Sequence, residues 1–371
     1  MNYLFFELIR ASLGIQKGLS RVPSAEEWEE LYELSKAQAI RGICSRGVQL
    51  LKIQTGYADN LSEILFLKWV GFANVIKEKN RNANKQCVLL KKHFSQKGFD
   101  CSILKGQGMA AIYRKDDVDL RLLRQCGDID LYVDGGRKKV QGYINQLFEG
   151  CRYDYKNVHA PFFDDTDVEV HWIPEILMNL YRNYKLQKFW KQHKDELYSN
   201  QVELPEGVGE INVPTDAMNR FYILLHTYRH TFDEGVGLRQ VMDYYFVLLQ
   251  ERSDAGKEET MKLLKEFGMT KFAAAMMWIM VEVFHLEKEH LLCAPDEKEG
   301  RFLLNDIMQS GNFGGYDKRV KKMGNSIRTR SLTTNLQRAP HLFAHYPMEV
   351  MWAPIWMTYH FVWKRTVGRY N

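Results

Sequence analysis

The chain has 371 residues, of which 45% are hydrophobic and 26% are charged, a composition typical of folded proteins and not of disordered ones. Its formal net charge of +5 permits an anionic substrate but does not by itself indicate a nucleic-acid-binding protein. The six cysteines include no Cys-x-x-Cys pair, which argues against a zinc site or a disulfide framework and predicts a cytoplasmic location.

The length predicts about two or three domains. The N-terminal residues lack the basic region of a secretory signal. The longest apolar segments fall short of the roughly 20 residues that a membrane span needs. We therefore expect no transmembrane segment.

The first predicted region, residues 1–84, is helical. Ser24 is followed by acidic residues in the first helical turn, a pattern that marks a helix N-terminus, and helical patterns continue to about residue 84. A further amphipathic helix is predicted over Lys85–Lys97, where Gly98 is a plausible stop.

The second predicted region, residues 85–175, is a small α/β core. A glycine turn, Lys105 to Gly108, joins a first strand to a short helix over Met109–Arg114. Another helix is predicted over Lys138–Phe148. The predicted strands are Asp100–Leu104, Asp128–Val133, Arg152–Tyr155, His159–Phe163 and Asp167–Trp172. Their order with the helices, β-α-β-α-β-β-β, predicts a small mixed sheet that carries helices.

The third predicted region, residues 176–371, is a large helical domain. Beyond Pro174 the strand signal nearly disappears. Helices are predicted over residues 217–228, 238–250, 258–267 and 270–286. A basic segment, residues 318–338, is predicted to form a mobile loop. The predicted fold class is therefore α+β: a small mixed sheet flanked by N-terminal helices and a large C-terminal helical domain.

The most informative motif is Asp128-Ile-Asp130, which lies in a predicted strand. Residues two apart in a strand leave the same face, about 6–7 Å apart. Two carboxylates at that separation can converge on a pair of divalent cations about 3.5–4 Å apart. This geometry is suited to nucleotidyl or phosphoryl transfer.

A third carboxylate is available in the last predicted strand. Its alternation places Asp167, Glu169 and His171 on one face of the sheet. We interpret His171, which lies beside a tryptophan, as a packed residue with one hydrogen bond rather than as a ligand.

Three short motifs resemble those of an uncharacterised bacterial nucleotidyltransferase-like family within the polymerase-beta-like nucleotidyltransferase-fold superfamily. They are Leu-Lys-Gly at 104–106, Arg-x-x-Gly-Asp-Ile-Asp at 124–130 and Glu-x-His-Trp at 169–172. The resemblance covers roughly residues 85–365. In place of the Gly-Ser of the wider superfamily, the chain has Lys105-Gly106-Gln107-Gly108.

The resemblance implies a nucleotidyltransferase in which Asp128 and Asp130 bind two Mg²⁺ or Mn²⁺ ions. Glu169 completes the metal site or acts as the general base. The nucleoside triphosphate, by default ATP, is expected to contact a second set of residues. These nucleotide-binding candidates are Lys105, Gly106, Gly108, Arg124 and Gly127, with Lys105 as a point charge and Arg124 as a bidentate phosphate clamp.

Other interpretations stay open at this stage. The same fold could bind a nucleotide or a phosphorylated ligand without catalysis, because the Gly-Ser motif is absent. His226 and His230, spaced i and i+4, could bind a metal, but core packing is favoured. The aromatic segment 347–365 could contact a membrane surface or a cell-surface glycan assembly, although interior packing is the simpler expectation. The acceptor could be a sugar, another small molecule, a protein or an RNA end.

Overall fold

The computed structural model describes residues 3–54, 56–250, 253–321 and 327–366. In chain order the α-helices are α1 (Tyr3–Ser12), α2 (Ala25–Ala37), α3 (Arg41–Ile53), α4 (Glu63–Gln96), α5 (Gln107–Ala110), α6 (Gly136–Leu147), α7 (Leu180–Gln192), α8 (Asp216–Asp233), α9 (Leu238–Gln250), α10 (Asp254–Glu266), α11 (Thr270–Phe284), α12 (Glu297–Ser310), α13 (Ile327–Phe343) and α14 (Pro347–Thr366). The strands are β1 (Cys101–Ile103), β2 (Arg114–Lys115), β3 (Val118–Asp119), β4 (Ile129–Val133), β5 (Arg152–Tyr153), β6 (Asn157–Ala160), β7 (Val168–His171), β8 (Asn200–Glu203) and β9 (Glu210–Val213).

The chain folds into two compact units, each built from three segments. The first unit comprises Met1–Asn82, Ala110–Cys126 and Gly235–Asp317, and the second comprises Ala83–Met109, Gly127–Glu234 and Lys318–Asn371. Helix α4 is continuous through residue 84, so the predicted helix Lys85–Lys97 is its C-terminal part. The three-part division along the chain stays a prediction.

The first unit is mostly helical. Helix α1 packs against α3 and α11, and α11 packs against α12. Helix α11 is apolar because it supplies the core: Phe272, Met276 and Met280 are fully buried. The predicted start of α2 is confirmed, since Ser24 and Glu27 form a reciprocal capping box. Of the helices described, none is long and apolar enough to span a membrane.

The second unit contains a five-stranded sheet in the order β1-β4-β7-β6-β5. Strands β4 and β7 are parallel, whereas the other neighbouring pairs are antiparallel. The predicted mixed sheet is therefore confirmed, and the α+β class with it. All five strands lie within or next to the predicted segments because their apolar residues alternate with polar ones.

The sheet has one apolar and one polar face. In β4, Ile129, Leu131 and Val133 are on one face and Asp130 is on the other, as expected for a period of two. Asp130 lies opposite Glu169 in the parallel β7. Polar side chains are thus aligned across the sheet, and a candidate site lies on this face.

Two hairpins were not predicted from the sequence. Strands β8 and β9 pair within the part predicted to be helical, and β2 pairs with β3 where the short helix was expected to reach Arg114. In both hairpins the strands are too short to show a clear alternation of apolar and polar residues. In β8 only Val202 is apolar, and it lies opposite Ile211. Neither hairpin therefore has a strand pattern from which it could be predicted.

The basic segment 318–338 does not form the predicted loop throughout. From Ile327 onward its backbone is helical, as part of α13, and the loop prediction is wrong there. Arg338 is only 2% exposed, which shows that this end of the segment is not a solvated loop. Residues 322–326 lie outside the described part of the chain.

Within the second unit, helix α14 packs one side against the segments that contain Tyr155 and Ile176. Trp356 is buried with Ile176 and Met178, and its ring lies 5.4 Å from that of Tyr155. This contact supports the interior-packing interpretation for that side of the helix. Exposed apolar side chains also occur along α14: Met348, Met351, Ile355 and Val362. A membrane-surface contact of residues 347–365 stays a prediction.

Asp154 contacts α14 through two side chains of that helix. Its carboxylate accepts hydrogen bonds from His360 at 2.7 Å and Lys364 at 3.0 Å. Burial opposes ionisation, but these partners hold the pKa of Asp154 below its usual value. A lowered folded-state pKa contributes stability above the unfolded-state pKa of about 3.9, and this contribution is lost as pH falls through the folded-state value.

We therefore expect Asp154→Asn to lower the free energy of unfolding at pH 7 by about 1–3 kcal/mol. The difference between the variant and the wild type should shrink below about pH 4. Urea unfolding at pH 7 and pH 3 measures both quantities. A difference that stayed constant between the two pH values would contradict the assignment.

Candidate metal and nucleotide site

The polar face of the sheet brings Asp130 and Glu169 together. The two residues are directly opposite each other in β4 and β7, where neighbouring strands lie about 4.8 Å apart. Asp130 is 3% exposed. Asp128 precedes β4 and is exposed to solvent. Two of the three predicted carboxylates thus form the floor of the site, and the third lies at its edge.

Asp130 already has two charged or polar partners. Its Oδ1 lies 2.7 Å from Nζ of Lys105 and 3.0 Å from Nε2 of His171. Burial favours the neutral acid, but the charge of Lys105 and the hydrogen bond with His171 keep the pKa of Asp130 well below its usual value. Asp130 is therefore ionised and fixed in one orientation.

Glu169 has partners on both sides. Oε2 lies 3.3 Å from Nε2 of His171 and accepts a hydrogen bond from Asn157, and Oε1 lies 3.6 Å from His159. Burial opposes ionisation of Glu169, but the hydrogen bond with His171 lowers its pKa to about 2. Glu169 is a carboxylate at neutral pH and a weak base.

His171 has a larger part in the site than the sequence predicted. It is fully buried, and its Nε2 bridges the two acids. Burial lowers its pKa, but the hydrogen bonds with Asp130 and Glu169 outweigh this and leave the pKa raised. Among the residues described, its Nδ1 has no hydrogen-bond partner. The alternation of β7 indicated its face, but nothing in the sequence indicated that it would touch both acids.

The donor atoms at this point suit a divalent cation. One ligand atom each from Asp130, Glu169 and His171 lies within 4.8 Å of the others. Carboxylate oxygens are the ligands that Mg²⁺ and Mn²⁺ prefer, and an imidazole is compatible with Mn²⁺. The residues present therefore fit such an ion, with Asp128 near enough for its charge to raise the pKa of Lys105.

The glycine turn is tightly packed against the strands. Gly106 has a φ of +53°, and a Cβ there would lie 3.3 Å from the carbonyl oxygen of Asp128. A Cβ at Gly108 would lie 2.6 Å from the carbonyl oxygen of Ile103, so packing alone requires this glycine. A phosphate contact by either residue stays a prediction, as it does for the exposed Gly127.

Arg124 differs most from its predicted environment. It lies in the first unit, where its Nε and Nη2 donate to the two carboxylate oxygens of Asp243 at 2.6 and 2.7 Å. Tyr113 also donates to Asp243 at 2.6 Å. The bidentate geometry expected for a phosphate is thus used for a buried carboxylate. A phosphate contact by Arg124 stays a prediction and is not part of the site described.

Comparisons with known proteins identify the family of the chain. A search of curated proteins and a search of solved structures found no match. The model of one family, described as uncharacterised nucleotidyltransferase, matches residues 24–285, more than two thirds of the chain. This range contains the sheet, the glycine turn and α8. The chain belongs to this uncharacterised nucleotidyltransferase family.

Proposed function

We propose that the protein transfers a nucleoside monophosphate from a nucleoside triphosphate, by default ATP, to an acceptor group. Asp128, Asp130 and Glu169 would hold the divalent cations, Mg²⁺ or Mn²⁺. The observation that carries this proposal is the pairing of Asp130 with Glu169 on neighbouring parallel strands, in a chain of the nucleotidyltransferase family.

The chain supplies charge and orientation for this reaction. Bound cations would neutralise phosphate charge and lower the pKa of the attacking hydroxyl. The buried Asp130 is held by Lys105 and His171, so the floor of the site is rigid before substrate arrives. The exposed Asp128 can approach an ion that enters with the nucleotide. The pKa of Glu169, about 2, favours its role as a ligand over that of general base.

Lys105 and His171 also explain how the acids tolerate each other. Neighbouring carboxylates repel each other unless positive charge lies close to them. In the structure the ammonium of Lys105 is 2.7 Å from Asp130, and His171 lies between the two acids. The positive charge of Lys105 therefore stabilises the acidic cluster from within.

The proposal is tested by isothermal titration of the full-length protein with nucleoside triphosphates. We expect binding in the presence of Mg²⁺ and a loss of at least about tenfold in affinity when EDTA replaces it, because cations bridge the acids and the phosphates. The variant Asp128→Asn/Asp130→Asn should bind weakly in both conditions. Binding that depends neither on Mg²⁺ nor on these two acids would contradict the proposal.

A second candidate, a non-catalytic protein that binds a nucleotide or a phosphorylated ligand, is favoured by one observation. Lys105 and His171 both contact the Oδ1 of Asp130, which a transferring enzyme would use for a cation. Tight triphosphate binding without pyrophosphate release across a panel of sugars, nucleosides and peptides would support this candidate. Turnover with any acceptor would exclude it.

A further inference from the structure

A second polar cluster in the second unit surrounds Glu175, which lies in the loop after β7 and is fully buried. Its Oε1 is 2.9 Å from Nζ of Lys156 and 3.1 Å from Nε of Arg229, and its Oε2 is 2.8 Å from Nδ1 of His226. We call Lys156, Arg229, His226 and His230 the basic cluster. A single buried carboxylate is thus shared by an ammonium, a guanidinium and an imidazole.

One face of α8 supplies most of this cluster. Tyr222, His226, Arg229 and His230 are spaced i, i+4, i+7 and i+8, so they lie on the same side of the helix. Tyr222 is fully buried, and among the described residues its hydroxyl has no hydrogen-bond partner. Nε of Arg229 likewise makes no hydrogen bond within the described chain, although it is close to Glu175. The hydroxyl of Tyr222 is therefore available as a donor on this face.

Burial and nearby charges both act on the titratable groups of the cluster. Burial is the main cause that lowers the pKa of Lys156, and Arg229 and Lys105 lower it further. The pKa values of His226 and His230 also lie well below 6.5, first through burial and then through nearby cations. Two acids, Asp233 and Glu234, contact Arg229 and His230 from the more exposed end of α8. Lys156 and Arg229 are thus the two cations in contact with Glu175, and Arg229 also contacts Asp233.

A metal ion is the first alternative for this cluster. Ligand atoms of Glu175, His226 and His230 lie within 4.8 Å of one another, which is compatible with a His₂Glu metal site. A cation placed there would, however, be repelled by Lys156 and Arg229, both of which contact Glu175. The same two residues attract an anion. Charge therefore favours an anionic ligand over a metal.

The basic cluster adjoins the candidate metal site through the sheet: Asn157, the neighbour of Lys156, pairs with His171, and the backbone N–H of Trp172 donates to the carbonyl oxygen of Lys156 at 3.1 Å. Lys105, which contacts Asp130 at 2.7 Å, is among the charges that act on Glu175, His226 and His230. The hydroxyl of Tyr222 is similarly influenced by Glu175 and Asp130, with burial as the main cause of its raised pKa. An anion that extends from the acids and their cations would thus reach the basic cluster.

We propose that the basic cluster, with Lys105 and Tyr222, binds the terminal phosphates of the nucleoside triphosphate. This proposal rests on the proposed function, because it assigns a place to the leaving pyrophosphate of that reaction. Arg229 would contact a phosphate with its planar guanidinium and Lys156 with its compact ammonium. Glu175 would keep both cations in place between substrates.

The test uses inorganic tripolyphosphate in EDTA, so that the probe reports on the basic cluster without a divalent cation. Isothermal titration of the full-length protein should show binding. Lys156→Gln and Arg229→Gln should each weaken it about tenfold, because each removes a charge-assisted hydrogen bond. Tyr222→Phe should weaken it several-fold. Lys188→Gln, on an exposed position of α7, is the matched control and should bind like the wild type.

Glu175→Gln is the most discriminating variant, because its expected effect on tripolyphosphate affinity is opposite in sign to that of Lys156→Gln and Arg229→Gln. Removing the carboxylate frees both cations, so tripolyphosphate should bind more tightly, whereas a purely structural cluster would lose stability without any gain in affinity. Thermal unfolding with and without tripolyphosphate checks that each variant folds and reports the same order of affinities. Arg229→Lys keeps the charge and replaces Arg229→Gln if the latter fails to fold.

Two results would overturn the proposal. The first is that the wild type shows no detectable tripolyphosphate binding, or that the wild type, Lys156→Gln and Glu175→Gln all bind it with equal affinity. The second is binding of Zn²⁺ or Mn²⁺ that is lost in His226→Gln, which would identify a metal site instead. Asp128→Asn/Asp130→Asn should bind tripolyphosphate at least as tightly as the wild type, because it removes the carboxylate that pairs with Lys105. A failure of the proposed transfer reaction is thereby distinguished from a failure of this site.

Discussion

Asp130→Asn is expected to reduce pyrophosphate release from the triphosphate by about 1,000-fold or more, equivalent to about 4 kcal/mol of transition-state stabilisation. Asp130 is the buried acid at the centre of the site, held by Lys105 and His171. An amide at this position keeps the shape of the side chain but loses the charge that holds a cation. The measurement is Mg²⁺-dependent pyrophosphate release over a panel of acceptors.

The matched control is Asp100→Asn, at the far end of the same sheet. Asp100 is exposed, and it precedes β1 at the end where Cys101 pairs with Val133 rather than with the acids. This variant should keep its activity within about twofold, because exposed substitutions away from a site have small effects. Equal activity of Asp130→Asn and Asp100→Asn would contradict the assigned role of Asp130.

Arg124→Met is expected to lower the free energy of unfolding by about 3–5 kcal/mol. The substitution leaves the Asp243 carboxylate buried and without its cation, and only the Tyr113 hydroxyl still donates to it. An unpaired buried charge is costly because its lost hydration is not replaced. Urea unfolding of the variant and the wild type gives the difference.

Arg121→Met is the matched control, because Arg121 also donates through Nε and Nη2 to one carboxylate, that of Asp119, but near the surface. An exposed pair contributes about 0–1 kcal/mol. Arg124→Met/Asp243→Leu should recover much of the lost stability, since it removes both charges. Unchanged stability of Arg124→Met together with weaker triphosphate binding would instead support the predicted phosphate clamp.

The sequence predicts the sheet and most helices because their signals are local. Alternation of apolar and polar residues located β4 and β7, and the same alternation placed Asp130 and Glu169 on side-chain positions that share a face. Helical periodicity and turn residues likewise predicted α9 with its observed ends, Leu238–Gln250. These patterns depend on neighbours within one element, so one sequence is sufficient to detect them.

The partners of the acids could not be predicted, because they come from distant parts of the chain. Lys105 reaches Asp130 only after β1 and β4 pair. Glu175 and Arg229 are brought together by the loop after β7 and by α8, with no shared motif to relate them. For Arg124 the reverse holds. The sequence motif predicted that it binds a phosphate, whereas in the structure its guanidinium pairs with the carboxylate of Asp243. Long-range ion pairs are set by tertiary packing, which local patterns do not encode.

We propose that Asp130 and Glu169 on the polar face of the sheet, with Asp128 at its edge, hold the cations of a nucleotidyl transfer. The most direct test is a crystal structure with Mn²⁺ and a non-hydrolysable triphosphate analogue, in which an anomalous difference map locates the Mn²⁺ ions. We expect Mn²⁺ between the carboxylates of Asp128, Asp130 and Glu169, in contact with the phosphates. Manganese and nucleotide bound elsewhere, with Asp130 still paired only with Lys105 and His171, would contradict it.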